Sequence, residues 1–361
     1  MLATILFILL FSAATTFFFT PLTILIANKF GLIDNPKIRP HPAHTHKGII
    51  PRAGGLPIFL GIFLPSLFLI KFNPQLTGIF LGATILIVVG LWDDKKDRSP
   101  YIRFITNIVA ALCAVAVGVG IPYITNPLGG VIHLDNWIVT FDINGIHTIV
   151  VWADILAIFW IIWTTNIVGW SGGVDGQLPG FVSICAFVIG LISLRFATAD
   201  PAQLHVTYLS IATAGAFLGF IPWNFYPQKI MPGYGGKTLA GFMLAVLSIL
   251  SFSKLGTALL VLAVPMIDAS FTLLSRIFSG KSPVNASAGH LHHHLLSLGW
   301  GRRAVAIFYW VISALAGFAA LLLRSEQKVF AGILTLILVC MFIFWINFIK
   351  KLPGKQESEE Y

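Results

Sequence analysis

Long apolar stretches alternate with short polar ones along almost the whole chain. Eleven of them approach the ~20 residues that a helix needs to cross a bilayer: 2–28, 54–70, 77–92, 104–121, 148–168, 180–197, 206–222, 238–252, 256–274, 304–323 and 329–349. The pattern predicts an all-α polytopic membrane protein with about 11 transmembrane helices. Residues 1–350 read as one integral membrane domain and residues 351–361 as a polar tail. Nothing positive precedes the first run and no small-residue cleavage site follows it, so it is expected to be retained as a span. One long connection, 122–147, breaks the rhythm. There Ile132–Leu134 and Ile138–Ile143 flank Asp135-Asn136, the pattern of a small β-hairpin.

Charge orients these helices. Of the 23 lysines and arginines, only Lys71, Arg195, Lys254, Arg324 and Lys328 fall on the side reached after even-numbered runs. The positive-inside rule therefore predicts an outside N-terminus, a cytoplasmic C-terminus, cytoplasmic odd-numbered loops and an extracytoplasmic hairpin. The net charge of +9 fits this topology and an attraction for anionic lipid or phosphate, and does not point to nucleic acid. Cys113, Cys185 and Cys340 lie inside apolar runs without ligand spacing, as packing residues do.

The polar residues that could carry chemistry gather in the odd-numbered loops. Asp93, Asp94 and Asp97 fall within five residues in a chain that is only 10% charged. At i and i+4, Asp93 and Asp97 are expected to share one face of a short helix. Clustered carboxylates repel unless cations neutralise them, and Mg²⁺ is a natural partner for carboxylate with substrate phosphate. A solvated loop marking the membrane boundary is the plainer reading. His41, His44 and His46 sit in a basic loop before Pro51-Arg52-Ala53-Gly54-Gly55; lipid phosphate contact suits them better than metal binding. Asn166 precedes the glycine-dense Ser171-Gly172-Gly173-Val174-Asp175-Gly176, where backbone N–H groups could approach a phosphate. Lys237 and Thr238 open the eighth run, and a helix start there would suit an anion. Asp268 lies near the end of the ninth run, and His290-Leu291-His292-His293-His294 follows. Imidazoles so clustered can orient or protonate phosphate oxygens. Of the acidic residues only Asp154 and Asp268 enter runs at all, each near an end. A transporter more often places ionisable groups near the midplane, so this layout favours interfacial chemistry between a phosphate-bearing molecule and a lipid.

These motifs resemble one family in order and spacing: the polyprenyl-phosphate N-acetylhexosamine-1-phosphate transferases. Pro51-Arg52-Ala53-Gly54-Gly55 is similar to the family's Pro-Arg-x-Gly-Gly, and Gly90-Leu91-Trp92-Asp93-Asp94-Lys95-Lys96-Asp97 to its Gly-x-x-Asp-Asp-x-x-Asp. Gly173-Val174-Asp175-Gly176, Pro265-Met266-Ile267-Asp268 and His290-Leu291-His292-His293 resemble its remaining signatures. The likeness runs collinearly from Asp34 to His294. The eleven-run count is more similar to the N-acetylglucosamine-type branch than to the ten-span peptidoglycan branch.

The resemblance implies exchange of UMP for a lipid phosphate, with UDP-N-acetylhexosamine and polyprenyl (undecaprenyl) phosphate as substrates and Mg²⁺, or Mn²⁺ in its place, as cofactor. It implies catalytic roles for Asp93, Asp94, Asp97 and Asp268. Arg52, Asn166, Asp175, Lys237, His290, His292 and His293 would bind substrate, and Asp93, Asp94 and Asp175 would hold the metal. Two departures stand out. The family's second asparagine falls on Gly169, and the aspartate of its Gly-Asp-x-Gly falls on Tyr234 within Gly233-Tyr234-Gly235-Gly236. Both positions contribute metal ligands in the family. Gly172 likewise replaces an aspartate, and Ser287 and Ala288 stand where acidic and basic residues are common. The sequence therefore predicts a transferase with a rearranged metal site built from Asp93, Asp94, Asp97 and Asp175. The competing expectations are a catalytically impaired relative that binds polyprenyl phosphate or nucleotide sugar, and a lipid-linked sugar transporter.

Overall fold

The structure, a computed structural model, describes the chain except for residues 39–47, 72, 127–128, 143–145, 252–253, 281–288 and 351–361. The expectations for His41, His44 and His46, for Ser287 and Ala288, and for the polar tail lie outside the described residues. The elements in order are α1 (Leu2–Phe30), β1 (Ile33–Asp34), β2 (Ile50–Pro51), α2 (Gly55–Leu69), α3 (Pro74–Lys96), α4 (Pro100–Val115), β3 (Tyr123–Thr125), β4 (Val131–His133), β5 (Ile138–Asp142) and β6 (Ile146–Val150). They continue with α5 (Val151–Trp170), α6 (Gln177–Phe196), α7 (Ala202–Asn224), α8 (Gly233–Leu250), α9 (Lys254–Val261), α10 (Ala263–Phe278), α11 (Leu291–Ser297), α12 (Arg302–Leu322) and α13 (Ser325–Lys350).

Local chemistry sets the ends that matter for the site. Asn73 accepts from the Leu76 N–H at 2.8 Å and Pro74 occupies the first turn, so α3 starts cleanly. Ser99 and Pro100 repeat the device for α4, with Ser99 accepting from the Ile102 N–H at 3.4 Å. The chain thus reverses within three residues of the end of α3.

Among the described residues, seven helices are long and apolar enough to cross a membrane: α1, α3, α5, α6, α7, α8 and α12. An eighth is added if α9 and α10 count as one span. The protein is therefore a multi-pass membrane protein. The shortfall from eleven has a geometric reason. The 15 residues of α2 extend only about 22 Å at 1.5 Å per residue, short of the ~30 Å hydrocarbon core. The ninth apolar run, expected as one helix, bends by 79° between α9 and α10. Pro265 explains the break: it has no N–H for the Val261 carbonyl, and its ring crowds that group.

The connection 122–147 does form strands, but not with the expected partners. Val131–His133 pairs antiparallel with Tyr123–Thr125, and Ile138–Asp142 pairs with Ile146–Val150. Each strand found a nearer neighbour, so the turn expected at Asp135-Asn136 joins two separate ribbons.

The helices α6, α7 and α8 form the centre, with 78, 72 and 78% of their apolar windows buried, against 28% for α1 and 33% for α12. Polar side chains there bond across helices, as a low-dielectric interior demands. Trp160 donates to Ser248 at 3.0 Å, and Ser183 donates to the Ala214 carbonyl at 2.9 Å. Asp154, one of the two aspartates within apolar runs, accepts from the Val150 N–H at 3.0 Å and so caps the start of α5.

Candidate active site

The site begins where three helices meet at glycines. A Cβ on Gly90 of α3 would overlap the Gly235 Cα of α8, and one on Gly55 of α2 would overlap the Gly236 backbone. Only bare backbone permits this approach, and it brings the last turn of α3 against the first turn of α8. The Asp94 carboxylate fills the meeting point. It accepts from the Tyr234 N–H at 2.9 Å and lies 3.4 Å from the Arg52 Nε. Gly233 turns the chain there with φ +70°, and a side chain on it would collide with Asp94 and the Arg52 carbonyl. At the start of α8 the Tyr234 N–H is thus taken up by the protein's own Asp94.

Asp93 is fully buried and holds Arg103 bidentately, at 2.6 Å from Nε and 3.1 Å from Nη2. Its Oδ1 also accepts from the Arg98 N–H at 3.0 Å. Asp97 leaves the helix path with φ +20°, so it does not share a helical face with Asp93 as expected. The two are joined instead by Arg103, whose Nη2 lies 3.7 Å from Asp97, while Arg52 reaches Asp97 at 3.3 Å. Spacing does not single out Arg103, which stands ten positions beyond Asp93. The Ser99-Pro100 helix start, which folds α4 back on α3, was the signal available.

Tyr234 points away from Asp94. Its hydroxyl bonds the Arg103 carbonyl at 3.0 Å and Asn107 at 3.3 Å. Asn107 in turn donates to Asn166 at 3.4 Å, and Asn166 donates to the Ile162 carbonyl at 2.7 Å. Asn166 therefore joins a chain of bonds across α4, α5 and α8. Lys237, one turn beyond Tyr234, is half-buried; its Cβ lies 3.9 Å from where a Cβ on Gly169 would stand.

A second cluster surrounds the histidines. Asp268 accepts from the Leu291 N–H at 2.6 Å and lies 3.1 Å from the His290 Nδ1. It acts as a positioning residue for α11. His290 and His292 stack at 5.6 Å, and His293 follows at 4.3 Å from His292. The His292 ring occupies the space that a side chain on Gly173 would need, which locks α11 to the 171–176 turn. Asp175, at the end of that turn, accepts from Gln228 at 2.8 Å and pairs with Arg302 at 3.6 Å. Burial pushes its carboxyl above the usual range, opposed by Arg302. Gln228 and Arg302 are further residues that spacing alone did not reveal.

Two outcomes follow from this cluster. Asp268→Ala releases both the imidazole and the Leu291 N–H, so amide hydrogen exchange across 290–297 is expected to rise by about tenfold, the scale of one hydrogen bond of roughly 1–1.5 kcal/mol; unchanged protection contradicts the assignment. Burial, reinforced by His293, His290 and Lys237, holds His292 well below the ordinary histidine pKa, so it stays neutral in the fold. The unfolded chain takes that proton first, at about pH 6.5, so the stability it supplies is present above that pH and lost as pH falls. The thermal midpoint of the purified protein should drop between about pH 7.5 and about pH 5.5, and less steeply in His292→Gln.

Comparison with known proteins decides the family. The model of glycosyl transferase family 4 matches residues 76–252. A decaprenyl-phosphate N-acetylglucosaminephosphotransferase of Mycobacterium tuberculosis (strain ATCC 25618 / H37Rv) is 30% identical over 341 residues, covering 86% of this chain and 80% of the relative. A probable undecaprenyl-phosphate N-acetylglucosaminyl 1-phosphate transferase of Bacillus subtilis (strain 168) is 28% identical over 351 residues, 95% of this chain and 90% of the relative. The undecaprenyl-phosphate alpha-N-acetylglucosaminyl 1-phosphate transferase of Escherichia coli (strain K12) is 27% identical over 340 residues, 90 and 86% of the two chains.

The chain belongs to glycosyl transferase family 4.

The family match spans Asp93, Asp94, Asp97, Arg103, Asn166, Asp175, Tyr234 and Lys237, whereas Arg52, Asp268 and the histidines lie outside the matched segment. The residues present do not fit the divalent cation that the family resemblance implies. Asp93 gives both oxygens to Arg103, and Asp175 turns to Gln228 and Arg302. Gly169 offers no side-chain ligand, and the Tyr234 hydroxyl is committed to α4. Among the described residues, no three histidine, cysteine or acidic side chains are arranged to hold a metal ion, so the expected set of Asp93, Asp94, Asp97 and Asp175 is not assembled as one.

Proposed function

We propose that this family 4 protein transfers N-acetylhexosamine 1-phosphate from a UDP-sugar to polyprenyl phosphate and releases UMP. The carrying observation is the convergence of Arg52, Arg103 and Lys237 with buried Asp93 and Asp94 at one end of the central helices, beside the histidines of α11. The names of the relatives, which act on undecaprenyl or decaprenyl phosphate and N-acetylglucosamine phosphate, support the same reaction.

In that reaction an oxygen of the lipid phosphate attacks the sugar-bearing phosphorus of the UDP-sugar. One P–O bond forms, the bond to the bridging oxygen breaks, and UMP leaves with that oxygen. Two anions must meet, so the protein's task is charge neutralisation and alignment. Arg52 and Arg103 are held by the aspartates with their remaining N–H groups available to phosphate oxygens, which suits planar guanidinium geometry. His290 and His293, held by α11, would orient phosphate or uridine, and neutral His292 supports the turn that carries Asp175.

We place the shorter apolar helices α2, α4 and residues 327–342 across the bilayer as well, with local thinning of the bilayer meeting their shorter length, which with α9–α10 makes eleven spans. The lysine and arginine asymmetry supports an outside N-terminus with the site and the C-terminus cytoplasmic. A lipid bilayer, a nucleotide sugar and a lipid phosphate are then the partners, and nucleic acid is not. Incubating purified protein with radiolabelled UDP-N-acetylhexosamine and undecaprenyl phosphate should give labelled lipid and equimolar UMP. Asp94→Asn should lose about 100-fold in rate, the scale of a small misplacement in an active site. Absence of labelled lipid in wild type would overturn the assignment.

A further inference from the structure

We infer that the ammonium of Lys237, with Arg52 and Arg103 beside it, takes the place of a divalent metal in this protein. The inference rests on the phosphosugar transfer proposed above, and it starts from the misfit of the donor set.

The two positions that depart from the family pattern meet at one side chain. Beyond its own helix backbone, a Cβ on Gly169 would find, among the described residues, only the Lys237 Cβ within 4 Å, at 3.9 Å. Tyr234 lies one turn before Lys237 and directs its hydroxyl to the Arg103 carbonyl and Asn107. The space vacated beside position 169 therefore adjoins a lysine, and the side chain at 234 has turned away from it. A metal bound here would have to displace guanidinium from Asp93 and part of the hydrogen bonding of Asp94.

Lys237 itself is poised between the two clusters. Its charged neighbours are Arg52, Asp94, Arg103 and Asp34, and its own charge is felt by His292. Among the described residues, its ammonium makes no hydrogen bond or ion pair, while Asp93, Asp94 and Asp97 are engaged by the arginines. Desolvation is the main cost to this half-buried ammonium, Arg52 and Arg103 add to it, and Asp94 and Asp34 offset only part, so a further anion beside it is favourable. A diphosphate is such an anion: its oxygens can take the ammonium as a point charge and the free guanidinium N–H groups in pairs. Fixed cations of this kind neutralise developing charge without the ligand exchange that a metal requires.

The test uses the full-length wild-type protein in detergent with excess EDTA. UDP binding by calorimetry should persist in EDTA within about twofold, because no metal bridges the phosphates. Lys237→Met should weaken UDP binding by at least about tenfold, the range for a charge-assisted contact, and Lys237→Arg should recover most of it. Mn²⁺ titrated into wild type and followed by electron paramagnetic resonance should show no stoichiometric bound ion. One bound Mn²⁺ per chain, abolition of UDP binding by EDTA, or Lys237→Met binding as well as wild type would each overturn the inference. UDP binding that survives EDTA and requires Lys237, without UMP release from the UDP-sugar, would refute the transferase assignment and leave the cation assignment standing. Failure to bind UDP under any condition would overturn both.

Discussion

Arg103→Met is expected to destabilise the protein by about 3 kcal/mol, because removing one partner of a buried ion pair strands the other charge. Asp93 has no exposure to water, and Arg103 supplies two of its hydrogen bonds. Arg103 is itself one-third exposed, which places the estimate at the low end of the range for buried pairs. The matching double variant, Asp93→Asn with Arg103→Met, should recover much of the loss, since no uncompensated charge remains. Denaturation of the four proteins of this cycle checks the coupling. Equal losses from the single variants that simply add in the double would show that the pair is not a structural unit.

The second large effect is steric and asymmetric. Gly90→Ala should cost about 3 kcal/mol, at the upper end for overpacking, because the new methyl would overlap the Gly235 backbone rather than a side chain that could rotate. The reciprocal change is mild. A Cβ on Gly235 meets Gly90 at 3.4 Å and Ile87 at 3.5 Å, which is ordinary contact. Gly235→Ala should therefore stay within about 1 kcal/mol, helped by the better helix propensity of alanine. Thermal midpoints of the two variants, with UMP release beside them, give the comparison. If the two alanines behave alike, the close crossing of α3 and α8 is not what positions Asp94.

The hydrophobic pattern made most helices legible: the run 54–70 became Gly55–Leu69, and 180–197 became Gln177–Phe196. What it missed was set by single residues or by distant partners. Pro265 broke the ninth run at Leu262, a local signal that length and hydropathy outweighed. The strands of 122–150 were visible as apolar segments, but pairing depends on which neighbour is nearer in space. The same limit governs the site. Asp93, Asp94, Asp268 and the histidines stood out as types in order, and the gaps at Gly169 and Tyr234 could be read as missing ligands. Nothing in spacing revealed that Arg103 would take both oxygens of Asp93, which depends on how α4 folds back on α3, or that Tyr234 would reach Asn107, because α4 and α8 are far apart in the chain. Lys237 was legible only as a basic residue at a helix start.

The bond from Asp268 to α11 also has a mechanical consequence. Asp268 rides on the arm of a helix pair bent by 79°, and it grips both the His290 ring and the Leu291 backbone. His290 and the start of α11 are therefore geared to α10. A tilt of α10 would therefore carry the His290 ring and the first turn of α11 with it.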